Sequence, residues 1–121
     1  MPTSVEHIKQ TSHNQSFLDT FTTPTGESFY PDWSITVIFY IAVHCIEYYF
    51  AKMQNVHCLS HMDRNKRIGR DKNLQQIYGD YLRLYNWSKD ARYDLVQFTQ
   101  IEIEEALKRL EKVRRITTSV P

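Results

Sequence analysis

The chain has 121 residues, of which 41% are hydrophobic and 24% are charged, with 15 basic against 14 acidic residues. This length suits one domain, and the composition is that of a globular protein, which excludes a largely disordered chain. A net charge of +1 excludes a strong overall attraction to DNA or membranes. Two cysteines and three glycines exclude a secreted disulfide scaffold and disfavour a turn-rich β-sandwich.

No membrane or secretory segment is expected. Residues 1–15 lack the apolar core of a signal peptide. The most apolar run, from Ile35 to Phe50, contains His44 and Glu47 and is shorter than the roughly 20 residues that span a bilayer. Because two cysteines in such a chain are more simply reduced than paired, we expect a cytoplasmic protein.

Apolar residues at roughly helical spacing predict a first helix over about residues 4–21. These residues are Val5, Ile8, Phe17, Leu18 and Phe21. The next segment, residues 22–28, is predicted to be a loop because Pro24 and Gly26 break helices.

A long second helix is predicted from Pro31 to about Met53. Proline suits the first turn of a helix, and Asp32 adds a favourable negative charge at the same end. Because the segment is apolar on nearly every side, we expect this helix at the centre of a bundle or in a subunit interface.

Two further helices are predicted between residues 60 and 88. Ser60, with Asp63 three residues later, resembles a capping box and predicts a short helix that ends near Gly69. The following helix is predicted from spacings of 3, 4 and 7 and ends near Ser88. Its apolar face consists of Leu74, Ile77, Tyr78, Tyr81, Leu82 and Tyr85.

The last helix shows the clearest periodicity. Its predicted inner stripe is Val96, Thr99, Ile103, Leu107, Leu110 and Val113. Glu104 with Lys108, and Glu105 with Arg109, form i,i+4 pairs on the outer side. The tail, residues 117–121, is expected to be flexible. Since no segment alternates, we predict an all-α, up-and-down antiparallel bundle of about five helices, a single domain with its core at about residues 5–115.

A polar stripe interrupts the apolar second helix. Thr36, Tyr40, His44 and Glu47 are spaced by 4, 4 and 3 residues and therefore share one face. Burying an imidazole and a carboxylate costs free energy unless they are hydrogen-bonded or line a wet cleft. The stripe is thus either satisfied inside the bundle by Tyr or Arg partners or part of a functional cleft or dimer seam.

Residues 57–61, His-Cys-Leu-Ser-His, contain ligand types that bind zinc. If Ser60 caps the third helix, however, His57 lies outside it and shares no helical face with His61. No second Cys/His cluster follows, so we expect a solvated loop, no metal and no cofactor. Cys45, next to His44, is expected to be a small core residue.

Basic residues are concentrated in the second half of the chain. Residues 1–60 carry two lysines against five carboxylates, and the remainder carries thirteen basic against nine acidic residues. The densest stretch contains Arg64, Lys66, Arg67, Arg70 and Lys72. These cations either contact phosphates or form a solvated helix face partly neutralised by acidic neighbours.

Residues 89–94, Lys-Asp-Ala-Arg-Tyr-Asp, are expected to break the chain between the last two helices. Such a corner can place Arg92 and Tyr93 in a cleft. Alternatively, Asp90 and Asp94 hold Arg92 in a salt-bridged turn. The common signatures of nucleotide-binding loops, zinc proteases and serine hydrolases are absent from the sequence.

A polar first helix with His13-Asn14, followed by Pro31 to Glu47 with small and aromatic residues around His44, resembles the first two helices of HEPN-like domains. Residues 60–65, 77–85 and 88–94 look like segments of small stand-alone prokaryotic members. The resemblance covers about residues 5–115. It implies a helical bundle that is often a homodimer. Many such proteins are ribonucleases of toxin–antitoxin or defence systems, and others bind nucleotides or serve as partners, for example of a nucleotidyltransferase-type protein.

Catalytic HEPN-like proteins carry R-x-x-x-x-H or a close variant, and this chain departs from that pattern. Its last histidine is His61 and its first arginine is Arg64, so no arginine precedes a histidine at any spacing. A rearranged set remains, in which His61 acts as base or acid and Arg64 or Arg92 stabilises the charged phosphorane. The leading expectation is a non-catalytic, dimeric module that binds RNA, a nucleotide or a protein partner. Its candidate binding residues are Tyr40, His44, Glu47, Lys66, Arg67, Arg70, Tyr93 and Asp94.

Two alternatives stay open beside this binding module. The first is a divergent, metal-independent endoribonuclease of toxin or defence type that uses His61, Arg64 and Arg92, and it requires His61 to approach Arg92. The second is a purely structural or scaffolding bundle in which the polar stripe only satisfies the core.

Overall fold

The computed structural model describes residues 2–23 and 27–119. In these ranges the helices are α1 (Ser4–Asp19), α2 (Pro31–Gln54), α3 (His61–Arg70), α4 (Gln75–Tyr93) and α5 (Gln100–Thr118). The helix α2 lies in the centre and packs against α1, α4 and α5, while α4 also packs against α5 and α3. The predicted all-α bundle of five helices is therefore confirmed. Pro24 and Gly26, the predicted helix breakers, lie outside the described residues.

Side-chain contacts give the directions of the long helices. His7, near the start of α1, contacts His44 late in α2, whereas Phe21 after α1 packs on Tyr30 before α2. These two helices are therefore antiparallel. The same holds for α4 and α5, because Trp87 packs on Phe98 while Asp80, earlier in α4, pairs with Arg109 and Lys112.

Burial accounts for the apolar character of α2. This helix has 24 residues and matches the predicted extent, Pro31 to about Met53. Its most apolar run is shorter than a membrane span, but by length and composition alone the whole helix is able to cross a bilayer. Most of its side chains between Ser34 and Phe50 are nevertheless buried by α1, α4 and α5. Its hydrophobic surface is thus used in the core of the bundle, as expected for a central helix.

The first helix differs from its prediction in the face that it buries. It ends at Asp19, and Val5 and Phe17 are more than half exposed although their spacing placed them on the inner face. The buried residues of α1 are instead His7, Thr11 and Leu18. The inner face of α1 is therefore largely polar, which a search for apolar periodicity does not detect.

The boundary between α4 and α5 was predicted wrongly. Residues 89–93 continue α4, and the break follows at residues 94–99. The Thr99 side chain caps the first turn of α5 in a capping box with Glu102, so Thr99 and the exposed Val96 do not belong to the inner stripe. Thr117, expected in a flexible tail, is buried in the last turn of α5; Val120 and Pro121 lie outside the described residues.

The start of α3 provides a test of local structure. The Ser60 hydroxyl accepts a hydrogen bond from the Asp63 backbone N–H at 3.0 Å, which confirms the predicted cap. We expect Ser60→Ala to lower the free energy of unfolding by about 1 kcal/mol because this N–H loses its partner. Chemical denaturation measures the change, with Ser12→Ala on the exposed side of α1 as control. Equal stability of the two variants would contradict the role of the cap.

Candidate functional site

The four side chains of the polar stripe on α2 have separate partners. The Thr36 hydroxyl donates to the Asp32 carbonyl within α2. Tyr40 contacts Arg92 of α4, His44 contacts His7 of α1, and Glu47 contacts Arg64 of α3. The stripe is therefore the point where the polar groups of three other helices meet the central helix.

Glu47 and Arg64 form a buried ion pair. Their side chains are 2% and 9% exposed, and Arg64 Nε donates to Glu47 Oε1 at 2.9 Å. The other carboxylate oxygen, Oε2, accepts the backbone N–H of Cys58 at 3.2 Å. Glu47 thus has the arginine partner that one of the two interpretations of the stripe requires.

Arg64 connects this ion pair to His61. Arg64 Nη1 donates to His61 Nδ1 at 2.9 Å, and the His61 ring packs against Phe39, Tyr40 and Tyr85. Burial, together with the positive charges of Arg64 and Arg92, lowers the pKa of His61. The neutral imidazole is therefore favoured.

Three histidines surround the other side of the Glu47 carboxylate. His7 Nδ1 and His44 Nδ1 are 2.9 Å apart, and the His57 ring stacks on His7 with a centroid distance of 5.6 Å. His57 Nδ1 lies 3.3 Å from Glu47 Oε2. Burial, and then the neighbouring His7, lower the pKa of His44 to about 4, and burial lowers the pKa of His7 as well. The His7–His44 contact therefore joins two neutral rings, one donating and one accepting.

Arg92 lies at the other end of the stripe. Its guanidinium donates to the Tyr40 hydroxyl and to the carbonyl and hydroxyl of Ser88, and it packs against the rings of Tyr40 and Tyr93. Within residues 2–23 and 27–119 no carboxylate forms an ion pair with it. Of the two alternatives for this segment, the turn salt-bridged by Asp90 and Asp94 is therefore not formed. A cavity of about 190 Å³ beside Arg92 is also lined by Trp33 and Asp32.

The basic stretch on α3 borders a larger open cleft. This cleft has a volume of about 580 Å³ and lies between α3 and the end of α2. Arg67 pairs with Asp63 at 3.2 Å, while Arg70 and Lys72 line the cleft without an ion pair in the described part of the chain. Lys66 is exposed on the same helix.

The structure thus brings some of the predicted residues together and separates others. His61 contacts Arg64 directly, and both His61 and Arg92 contact Tyr40. His44 and Glu47 belong to the buried histidine cluster, whereas Asp94 is exposed at the end of α4. Arg64 is buried against Glu47 and does not belong to the exposed basic face on which the sequence placed it.

Sequence reasoning missed His7 and set His57 aside as a loop residue. Both lie beside Glu47 in the folded chain. A signal for His7 is present, because His7, Thr11 and Leu18 are spaced by 4 and 7 residues and share a helical face. His57 gives no periodic signal, since it lies between α2 and α3.

Comparisons with known proteins identify no relative. No family model, no curated protein and no solved structure matches this chain. The resemblance to HEPN-like domains therefore has no support from these comparisons, and function has to be argued from the geometry.

The buried ion pair predicts a large effect of removing one charge. Glu47→Gln leaves Arg64 buried without a counter-charge, and we expect the free energy of unfolding to fall by about 3 kcal/mol or more. The control is Glu105→Gln, which breaks the more exposed Glu105–Arg109 pair of α5 and costs about 0.5 kcal/mol or less. Urea denaturation measures the free energy of unfolding of both variants. Similar losses in the two would show that the buried ion pair stabilises the fold no more than the exposed one.

The lowered pKa of His44 predicts a loss of stability in acid. The folded chain resists protonation at His44 until about pH 4, whereas the unfolded chain takes up this proton near the ordinary pKa of 6.5. The stabilisation is complete above about pH 6.5 and decreases as pH falls toward 4, by on the order of 3 kcal/mol.

His44→Gln tests this dependence. The amide oxygen of glutamine can accept from His7 but does not titrate, so we expect a flatter pH profile of thermal stability between pH 4 and 6.5. His13→Gln, at an exposed position of α1, is expected to keep the profile of the natural chain. An unchanged profile in His44→Gln would contradict the assignment.

Proposed function

We propose that the chain is a HEPN-like, cytoplasmic RNA-binding module, and that Trp33, Arg92 and Tyr93 contact the RNA. The observation that carries this proposal is that the Arg92 guanidinium is held in place without a neutralising carboxylate. Its charge has no carboxylate partner in the described ranges, although Tyr40, Tyr93 and Ser88 hold the guanidinium in place. Three of its five N–H groups are used, so two are left to bind phosphate oxygens.

Exposed aromatic rings next to Arg92 favour a single-stranded ligand. Tyr93 is 72% exposed and Trp33 is 57% exposed. Unpaired bases stack on such rings, and this stacking is a common basis of single-strand RNA binding. The Asp32 carboxylate on the same cavity can accept a hydrogen bond from a ribose 2′-hydroxyl, which DNA lacks.

The cleft beside α3 offers further phosphate contacts through Arg70 and Lys72, although Asp63 and Asp71 also line it. The helix α3 begins at His61, next to Tyr40, and ends at Arg70, on the cleft beside Tyr49. Tyr40 and Tyr49 are about 14 Å apart along α2, from a rise of about 1.5 Å per residue. Nine residues also turn the helix by about 900°, so Tyr40 and Tyr49 point to opposite sides of α2, and the cleft is a separate phosphate-binding surface that does not continue the Arg92 region.

Fluorescence anisotropy with a labelled single-stranded RNA tests the proposal. We expect Arg92→Gln and Tyr93→Ala each to weaken binding about tenfold, because one loses a phosphate contact and the other a stacking platform. Arg115→Gln removes the same charge from an exposed position of α5 and is expected to bind like the natural chain. We also expect affinity to fall as salt rises and DNA of the same sequence to bind less tightly.

Two results would overturn this proposal. The first is the absence of RNA binding by the folded chain, which leaves a protein partner or a structural role. The second is equal binding by Arg92→Gln and Arg115→Gln, which would place the RNA elsewhere.

A divergent ribonuclease is the second candidate, because His61 and Arg92 both contact Tyr40. The same labelled RNA, incubated in EDTA and separated on a gel, tests metal-independent cleavage. This candidate requires cleavage by the natural chain that is lost in His61→Ala and kept in His13→Ala. Intact RNA with the natural chain, or equal cleavage by both variants, rejects it.

A further inference from the structure

The histidine cluster contains two buried nitrogens without a hydrogen-bond partner. One nitrogen of His7, one nitrogen of His57 and a carboxylate oxygen of Glu47 lie within 4.8 Å of one another. Since His7 Nδ1 faces His44, the free nitrogen of His7 is Nε2, and this atom is buried and unpartnered. His57 Nδ1 is also buried and unpartnered, because its 3.3 Å approach to Glu47 Oε2 lacks the alignment of a hydrogen bond.

Buried nitrogens without a hydrogen-bond partner are stabilised when a ligand binds them. Leaving one buried polar atom without a partner costs about 1–3 kcal/mol. Here two such atoms and a carboxylate oxygen converge on one point. The ligand atoms of a tetrahedral zinc site are about 3.3 Å apart, as follows from zinc–ligand distances of about 2.0–2.1 Å. His57 Nδ1 and Glu47 Oε2 are already at this separation.

We propose that His7, Glu47 and His57 bind a divalent transition-metal ion of the Zn²⁺ class. Two imidazoles and one carboxylate suit Zn²⁺ and its first-row neighbours better than Ca²⁺ or Mg²⁺, which prefer oxygen ligands only. Three protein ligands leave a fourth position for water, as in zinc sites that are not purely structural. The His57 side chain is 35% exposed, so the ion can enter from solvent.

The groups around the three ligands hold them in a suitable orientation. If His7 Nδ1–H donates to His44 Nδ1, the lone pair of His7 is on Nε2, where the ion binds. The burial that lowers the pKa of His7 keeps this ring neutral at pH 7. The Cys58 N–H and Arg64 fix the carboxylate. Arg64 partly neutralises the Glu47 carboxylate, and this weakens the attraction of the carboxylate for a metal ion. Both histidines are therefore needed for metal affinity.

Isothermal titration of metal-free protein with Zn²⁺ at neutral pH tests the site. We expect one ion per chain, and a loss of affinity of more than about 100-fold in His7→Ala and in His57→Ala, because each removes a direct ligand, whereas loss of an outer partner alone costs about 10- to 100-fold. The control is His13→Ala, which removes an exposed histidine from α1 and is expected to bind like the natural chain. Circular dichroism reports the fold, and the partly exposed His57 provides a variant that keeps the core intact.

Co²⁺ absorption provides a second readout. We expect the d–d bands of a nitrogen and oxygen site, without the thiolate charge-transfer band that ligation by Cys58 would add. Absence of Zn²⁺ binding by the natural chain would overturn the proposal, and a buried water would then be the partner of the unpaired nitrogens. So would equal affinity in His57→Ala and His13→Ala, or a thiolate band. The RNA experiment is independent, since Arg92 lies outside this cluster.

Discussion

The buried ion pair between Glu47 and Arg64 is the constraint on which the polar part of this bundle depends. A carboxylate in the middle of the central helix is tolerable only with a partner, because an unpaired buried charge costs several kcal/mol. Arg64 supplies that charge from α3, and the Cys58 N–H supplies a hydrogen bond from the connection between the two helices. The ion pair therefore fixes where α3 and the preceding segment lie against α2.

The two candidate regions extend from opposite sides of this ion pair. From Arg64 the contacts lead to His61 and then to Tyr40, which also contacts Arg92. From Glu47 the contacts lead to His57, then to His7 and His44. Because each region depends on one member of the pair, a substitution at Glu47 or Arg64 affects both. Variants further out, at His57 and Arg92, are needed to separate them.

Local rules predicted the fold better than the site. Pro31 and Ser60 mark helix starts through backbone chemistry that involves only their neighbours, and both helices form as predicted. His44, the partner of His7, lies 37 residues away, and Tyr40, the distant partner of Arg92, lies 52 residues away, and no spacing rule connects these pairs. The run of charges at residues 89–93 suggested a helix break, but a helix accommodates charges on an exposed side, so α4 continues.

The same ion pair bears on whether His61 can catalyse. An arginine has no acceptor, so the contact between Arg64 Nη1 and His61 Nδ1 requires the histidine lone pair to be on Nδ1 and its proton on Nε2. His61 in this state has no free lone pair with which to accept a proton from a 2′-hydroxyl. It gains one only if Arg64 moves away, and Glu47 holds Arg64 in place at 2.9 Å. The geometry therefore favours His61 as a hydrogen-bond donor to a bound ligand over His61 as a general base, which is why binding ranks above cleavage for this chain.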